Sequence, residues 1–241
     1  MLYKLPHFRC LILIIGLFII SQTTPVFAVT TLAGNRIVID KGKTIKEIEI
    51  RNDSDDYVLL HTFITDMQGN NEQKLFNIIP PIFKLGPKSR QKLRVVVTNP
   101  TLLSKDKETL YYFHYQEIPS VPSVPSAASR IAISVDNVVK LIYRPKTIDI
   151  NPGKIHEKLT ITLENKHGKN YLVITNPTAT YFSVIGVEVN EKNFDVPKNS
   201  IIEPYGKTEF VAPTNLLKNQ NTVQIKTIND FGGTSTLQLT L

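Results

Sequence analysis

The chain has 241 residues, 41% of them hydrophobic and 20% charged, with a formal net charge of +7. That much apolar material can fill a globular core and excludes a disordered chain. No apolar run reaches the roughly 20 residues needed to cross a bilayer, so a multi-helix membrane protein is excluded as well.

The first element is the apolar stretch 11–20 (LILIIGLFII), preceded by Lys4 and Arg9 and followed by Val26-Phe27-Ala28. A basic start, a short apolar run and small residues two apart form a secretory signal, with cleavage expected after Ala28. Cys10 lies before the apolar run, whereas a lipid-acceptor cysteine would follow it. Removal of residues 1–28 leaves 213 residues, takes away Lys4 and Arg9 but no acid, and lowers the net charge to +5. No cysteine survives, so the mature protein must be held by core burial alone, which suits two domains of about 100 residues.

Past residue 28 the sequence is a succession of short Val-, Ile-, Thr-, Tyr- and Phe-rich segments broken by Gly, Pro, Asn and Asp, with no 3.6-residue apolar period. An all-β fold follows. Strands are predicted over 35–40, 44–51, 58–66, 76–78, 91–98, 109–117 and 131–143, and seven at this spacing is the number in an immunoglobulin-like sandwich. Turn chemistry separates them at Asp66-Met67-Gln68-Gly69-Asn70 and at Lys84-Leu85-Gly86-Pro87-Lys88. Lys88, Arg90, Lys92 and Arg94 alternate with Leu93, Val95 and Val97, which is a strand with one solvated face rather than a nucleic-acid arm. The Pro/Ser stretch 118–126 reads as an extended linker between two strands of this domain.

Pro145 cannot donate to a central ladder, so the long strand should end there and a domain boundary should follow near 145–150. Further strands are predicted over 159–164, 171–175, 182–189, 209–212, 222–228 and 236–241. The expected organisation is a signal peptide over 1–28 and two immunoglobulin-like β-sandwich domains over 29–147 and 148–241.

Constellations for catalysis are scarce. The histidines at 7, 61, 114, 156 and 167 have no metal-ligand spacing, and the loss of Cys10 removes the thiol nucleophile and the usual structural zinc site. Gly42-Lys43-Thr44 lacks the upstream glycine of a phosphate loop, and no Gly-x-Ser-x-Gly occurs. No catalytic residue, metal or cofactor is expected.

The segment 131–143 alternates for thirteen residues, about 43 Å and twice the usual strand length. Ile131, Ile133 and Val135 lie on one face, with Ala132, Ser134 and Asp136 on the other. Two readings fit the pattern: a buried strand, or an edge strand offering backbone groups and apolar knobs to another chain.

Lys140-Leu141-Ile142-Tyr143-Arg144-Pro145 resembles the end of the corresponding strand in the periplasmic pilus chaperones, the PapD-like and FimC-like family. Asp106-Lys107-Glu108-Thr109-Leu110-Tyr111-Tyr112-Phe113 followed by Glu117-Ile118-Pro119 is similar to the family's signature before that strand. Gly34-Asn35-Arg36-Ile37-Val38, Thr175-Asn176-Pro177-Thr178 and Ile228-Asn229-Asp230-Phe231-Gly232-Gly233 match in kind and order. The resemblance implies two immunoglobulin-like domains set at an angle with a cleft between them. Arg36 and Lys140 match the basic residues that anchor a subunit's C-terminal carboxylate. Ile131, Ile133 and Val135 match the alternating residues of the donated strand, and Glu108, Arg144 and Asp230 match a charge network between domains. Lys140 has the opposite parity from Ile131, so a twist or bulge is expected between them. His114, Tyr115 and Ser104 depart from the family's usual residues, and the short loop without cysteines resembles the short-loop chaperones of rod-type pili.

The function implied is a periplasmic, ATP-independent chaperone for pilus subunits that delivers them to an outer-membrane usher. No nucleic-acid partner and no membrane insertion after signal cleavage are expected. The alternative is a two-domain secreted adhesin or surface fibre subunit. A subunit would carry its own N-terminal donor extension, whereas Arg36 comes within eight residues of the expected mature start. A carbohydrate-active sandwich enzyme would want paired carboxylates and a stacking platform, and the chain has no tryptophan.

Overall fold

The computed structural model describes residues 30–118, 133–194, 196–197, 200–212 and 221–241. The predicted signal peptide, most of the Pro/Ser linker and Ile131 lie outside the described residues.

The first half of the chain forms nine strands: β1 (Thr30–Leu32), β2 (Arg36–Ile39), β3 (Ile45–Asn52), β4 (Val58–Thr65), β5 (Phe76–Ile79), β6 (Ile82–Leu85), β7 (Arg90–Val97), β8 (Thr109–Ile118) and β9 (Val135–Tyr143). They make two sheets, ordered β1-β3-β7-β5 and β2-β9-β8-β4-β6. The period-2 pattern decides which face goes inward. In β7, Leu93, Val95 and Val97 are buried while Arg90, Lys92 and Arg94 are exposed, and Arg90 and Arg94 pair with Glu49 and Glu47 of β3 at 3.4 and 3.3 Å. Ile37, Ile39, Ile50, Leu60, Leu93, Phe113 and Leu141 fill the space between the sheets. Each such side chain contributes roughly 1.5–3 kcal/mol by leaving water. The chain changes sheet between β1 and β2, where Gly34 takes a φ of +106° that a Cβ would strain.

The second half repeats the plan with β10 (Thr160–Lys166), β11 (Lys169–Thr175), β12 (Phe182–Val189), β13 (Lys192–Phe194), β14 (Ile201–Ile202), β15 (Lys207–Val211), β16 (Thr222–Ile228) and β17 (Thr234–Thr240). One sheet is β10-β11-β15 and the other β13-β12-β16-β17, with β14 also on β12. Its separate core contains Leu172, Ile174, Phe182, Val184, Val187, Val223 and Ile225.

Both halves use one buried asparagine in the same way. The Nδ2 of Asn52, at the end of β3, donates to the carbonyls of Asp56 and Gly86 at 2.7 and 2.8 Å, and its Oδ1 accepts from the N–H and hydroxyl of Ser54 at 2.9 and 2.7 Å. Asn176, just after β11, donates to the carbonyls of Thr180 and Glu203, both at 2.7 Å, and accepts from the N–H and hydroxyl of Thr178 at 2.9 and 2.7 Å. Each amide staples the turn after one strand to the loop before another, and both residues are fully buried. Removal would strand several buried polar groups, at about 1–3 kcal/mol each. Asn176→Ala should therefore lower the unfolding free energy by roughly 3 kcal/mol in denaturant titration. A loss below about 1 kcal/mol would show the staple to be dispensable.

Candidate functional site

Alternation within β2 and β9 places two cations side by side. Ile37 and Ile39 point into the first core, so Arg36 points out; Leu141 and Tyr143 point in, so Lys140 points out. The two strands pair in parallel with Arg36 directly opposite Lys140. The second domain closes over both: Arg36 Nη1 donates to the Ile228 carbonyl at 3.0 Å, and Lys140 Nζ donates to the Ser183 hydroxyl at 2.9 Å. Among the described residues neither has a carboxylate within ion-pair distance, and the buried Nε of Arg36 has no hydrogen-bond partner.

Burial lowers the Arg36 pKa, against the opposing charges of Asp230 and Glu108. Lys140 is lowered by burial first and by the neighbouring Arg36 charge second. Two half-buried cations that repel each other favour an anion between them. A guanidinium fork beside an ammonium suits a carboxylate in particular.

A second cluster fixes the joint between the domains. Arg144 is 2% exposed and pairs through Nε with Glu108 at 2.6 Å, and through Nη1 with Asp230 at 2.8 Å and Asp40 at 3.3 Å. Glu108, 1% exposed, also accepts the Tyr181 N–H at 2.7 Å, and its own N–H donates to the Ala179 carbonyl. Burial opposes the Arg144 charge, but hydrogen bonds and charges from Asp230 and Glu108 outweigh it and hold its pKa above the ordinary value. Glu108 and Arg144 belong to the first sandwich and Asp230 follows β16 of the second, so one guanidinium ties both halves. Asn35 adds a bond from its side chain to the Gly232 carbonyl at 2.9 Å.

The third element is the N-terminal half of β9. Its ladder with β8 runs without a shift from Glu117↔Val135 to Thr109↔Tyr143. The ladder has no bulge over 135–143, and a strand in continuous register presents Val135 and Lys140 on opposite faces. The strand is also shorter than its sequence pattern. It begins at Val135, with Ile133 and Ser134 described as coil and Ile131 outside the described residues. Ile133 is 74% exposed and Val135 47% exposed, so neither belongs to the core of this domain. β2 covers the outer edge of β9 only from Lys140 onward, and among the described residues the edge at 135–139 has no partner strand.

Sequence reasoning named the charged residues but missed their neutral partners. Ser183, the Ile228 carbonyl and the Tyr181 N–H carry no sequence signal at this distance along the chain. Asp40 had one, since it follows the β2 motif directly. On the outward face of β8, His114 bonds Asp136 through Nδ1 at 2.8 Å, meets the Thr65 hydroxyl through Nε2 at 3.0 Å and stacks on Phe63. Among the described residues no group of His, Cys, Asp and Glu could hold a metal, and no helix is long and apolar enough to cross a membrane.

Comparison with known proteins places this geometry. Residues 29–149 match the pili and flagellar-assembly chaperone family, PapD N-terminal domain, and residues 154–239 match the pili assembly chaperone PapD, C-terminal domain. The chaperone protein FanE of Escherichia coli is 30% identical over 213 residues, covering 85% of this chain and 87% of its own. Among solved structures, the E. coli chaperone DraB superposes with a TM-score of 0.72 at 25% identity, over 88% of this chain and 96% of that one. The SafB chaperone of Salmonella enterica, solved with the SafA pilin, shares the fold with a TM-score of 0.74 at 23% identity, over 91% and 99% of the two chains. With both domains matched in order across nearly all of residues 29–239, the chain belongs to the PapD-like family of pilus-assembly chaperones.

Proposed function

We propose that this protein, after loss of residues 1–28, is a periplasmic chaperone that holds pilus subunits by donating the strand at Ile131, Ile133 and Val135, and that it is not an enzyme. Residues 29–147 form the donor domain and residues 148–241 the domain that closes the cleft. The observation that carries the reading is the unpaired edge of β9, which lies in line with β2 and leads to Arg36 and Lys140. A client strand added there in parallel to β9 would run toward β2 and end at the two cations. Its C-terminal carboxylate would then meet Arg36 and Lys140, while exposed apolar side chains of the donated strand fill the client's unfinished sandwich. Glu108, Arg144 and Asp230 hold the domain angle that places these parts.

The SafA–SafB complex is a chaperone of this fold with a bound pilin, which supports the choice of client. Stabilisation needs no nucleotide, because binding a folded-like client shifts its folding equilibrium by mass action. Transfer to an outer-membrane usher completes the role.

Ile133→Glu tests the donated strand. A glutamate in a groove shaped for an aliphatic side chain must lose its water without gaining a partner. Because Ile133 is exposed in the free protein, the variant should unfold at the wild-type denaturant concentration yet fail to protect a coexpressed subunit from periplasmic degradation. A loss of several kcal/mol in the chaperone itself would assign Ile133 to its own core and overturn the reading.

A further inference from the structure

Resting on the donated-strand reading, we propose that His114 is a positioning residue, which through Asp136 holds the start of β9 as a formed edge before a client arrives. The ladders set Phe63 of β4 directly opposite His114, and set Asp136 two residues along β9 from Val138, the residue opposite His114 on its other side. A diagonal neighbour in an antiparallel pair is within reach of a long side chain. The imidazole stacks on Phe63 with centroids 4.4 Å apart and planes 9° from parallel. A carboxylate only accepts, so in the neutral ring the proton sits on Nδ1, which faces Asp136 Oδ2 at 2.8 Å, while Nε2 accepts from the Thr65 hydroxyl at 3.0 Å. One ring thus links three strands and uses both nitrogens.

The place of this link decides what it does. From 135 to 139, among the described residues, β9 is paired on one side only, and Val135 and Val138 are about half exposed. Ser134 adds a bond from its hydroxyl to the Glu117 carbonyl at 2.8 Å. A strand end with one partner and little burial opens at small cost. A client strand that adds to this edge needs it extended, so only the fraction of chains with the edge formed can bind. Asp136 is the second residue of β9, and its bond to His114 fastens that end to the middle of the sheet. The link lies on the face opposite Val135, so it stays in place while side chains on the Val135 face enter the client. Its contribution is made in the free chaperone, by raising the share of molecules ready to bind. On the same reading Arg36 and Lys140 take the client's end, beyond the other end of this edge.

The test is amide hydrogen exchange read by NMR on the chaperone, alone and with a synthetic peptide carrying the C-terminal strand of a fimbrial subunit that copurifies with it. His114→Phe keeps an aromatic ring against Phe63 and removes both nitrogens, and Asp136→Ala cuts the link from its exposed end. In either variant the β8-facing amides at 135–139 should lose most of their protection, and peptide affinity should fall about 3- to 10-fold. The double variant should be no worse than the worse single one, since both changes cut the same link. Affinity within about twofold of the wild type in either single variant overturns the proposal. Additive losses in the double variant overturn it too, as does a loss of protection spread over β3 and β7, which would make His114 a support of the whole sandwich. The donated-strand reading is judged separately on the wild type, where the peptide should protect the amides of 135–139 that face the open edge. If it binds without protecting them, or does not bind, that reading fails and this one with it.

Discussion

Arg144→Ala is expected to be the most damaging single change in the protein. It removes one cation from among Glu108, Asp230 and Asp40, leaving a carboxylate that is 1% exposed with, among the described residues, only the Tyr181 N–H as a donor. Breaking a buried ion pair by deleting one partner costs about 3–5 kcal/mol. Two independent cores remain, so the outcome should be two folded domains whose joint has loosened. Denaturant melting should show the loss, small-angle scattering should show a broadened distribution of domain angles, and client binding should weaken. The pH dependence has a definite sign. Burial already raises the Glu108 pKa, and without Arg144 it rises further above the unfolded value. The penalty is therefore full at neutral pH and is relieved as acidification protonates Glu108. If angle, stability and binding all match the wild type at neutral pH, the network does not set the cleft.

Arg36→Ala should act on the client and spare the chaperone. Loss of one partner of a desolvated charge pair costs about 2–5 kcal/mol, or about 30- to 5,000-fold in affinity. The protein loses one hydrogen bond to the Ile228 carbonyl, while the Arg144 cluster still ties the domains. Recovery of the subunit should collapse with little change in melting temperature, and Lys140→Ala should do the same. Because burial and the Arg36 charge lower the Lys140 pKa, its charge is lost at a lower pH than that of a surface lysine. Client affinity should accordingly fall as pH rises through that lowered value and hold steady below it, and Lys140→Arg should flatten the profile. Wild-type copurification with Arg36→Ala would end the anchor assignment.

The sequence pattern exposed most of the sandwich because seven strands of the first domain carry either strict alternation or a dense Val/Ile/Tyr run. It missed β1 and β6 for physical reasons. Thr30-Thr31-Leu32 is too short to show a period and abuts the signal, while Ile82–Leu85 is squeezed between Pro80-Pro81 and Gly86-Pro87, whose turn chemistry masks an edge strand. Arg36 and Lys140 are 104 residues apart and become neighbours only through the β2–β9 ladder, which no local pattern encodes. The parity mismatch between Val135 and Lys140 was visible in the sequence, but its meaning was not. Over 135–143 it records two faces of one strand whose register does not shift.

That ladder also bears on when the chaperone becomes competent during its own folding. The β8–β9 hairpin and the β5–β7 and β1–β3 pairs join segments much closer in sequence than β2 and β9. Closing a loop grows costlier with its length, and the longest closure is rewarded only after the shorter ones have built a surface to receive it. On the donated-strand reading proposed above, a half-folded chain would display that strand before the two cations have met. Until β2 docks, such a chain would lack the proposed anchor for a client, so on that reading retention of a client would itself report that the holder has finished folding.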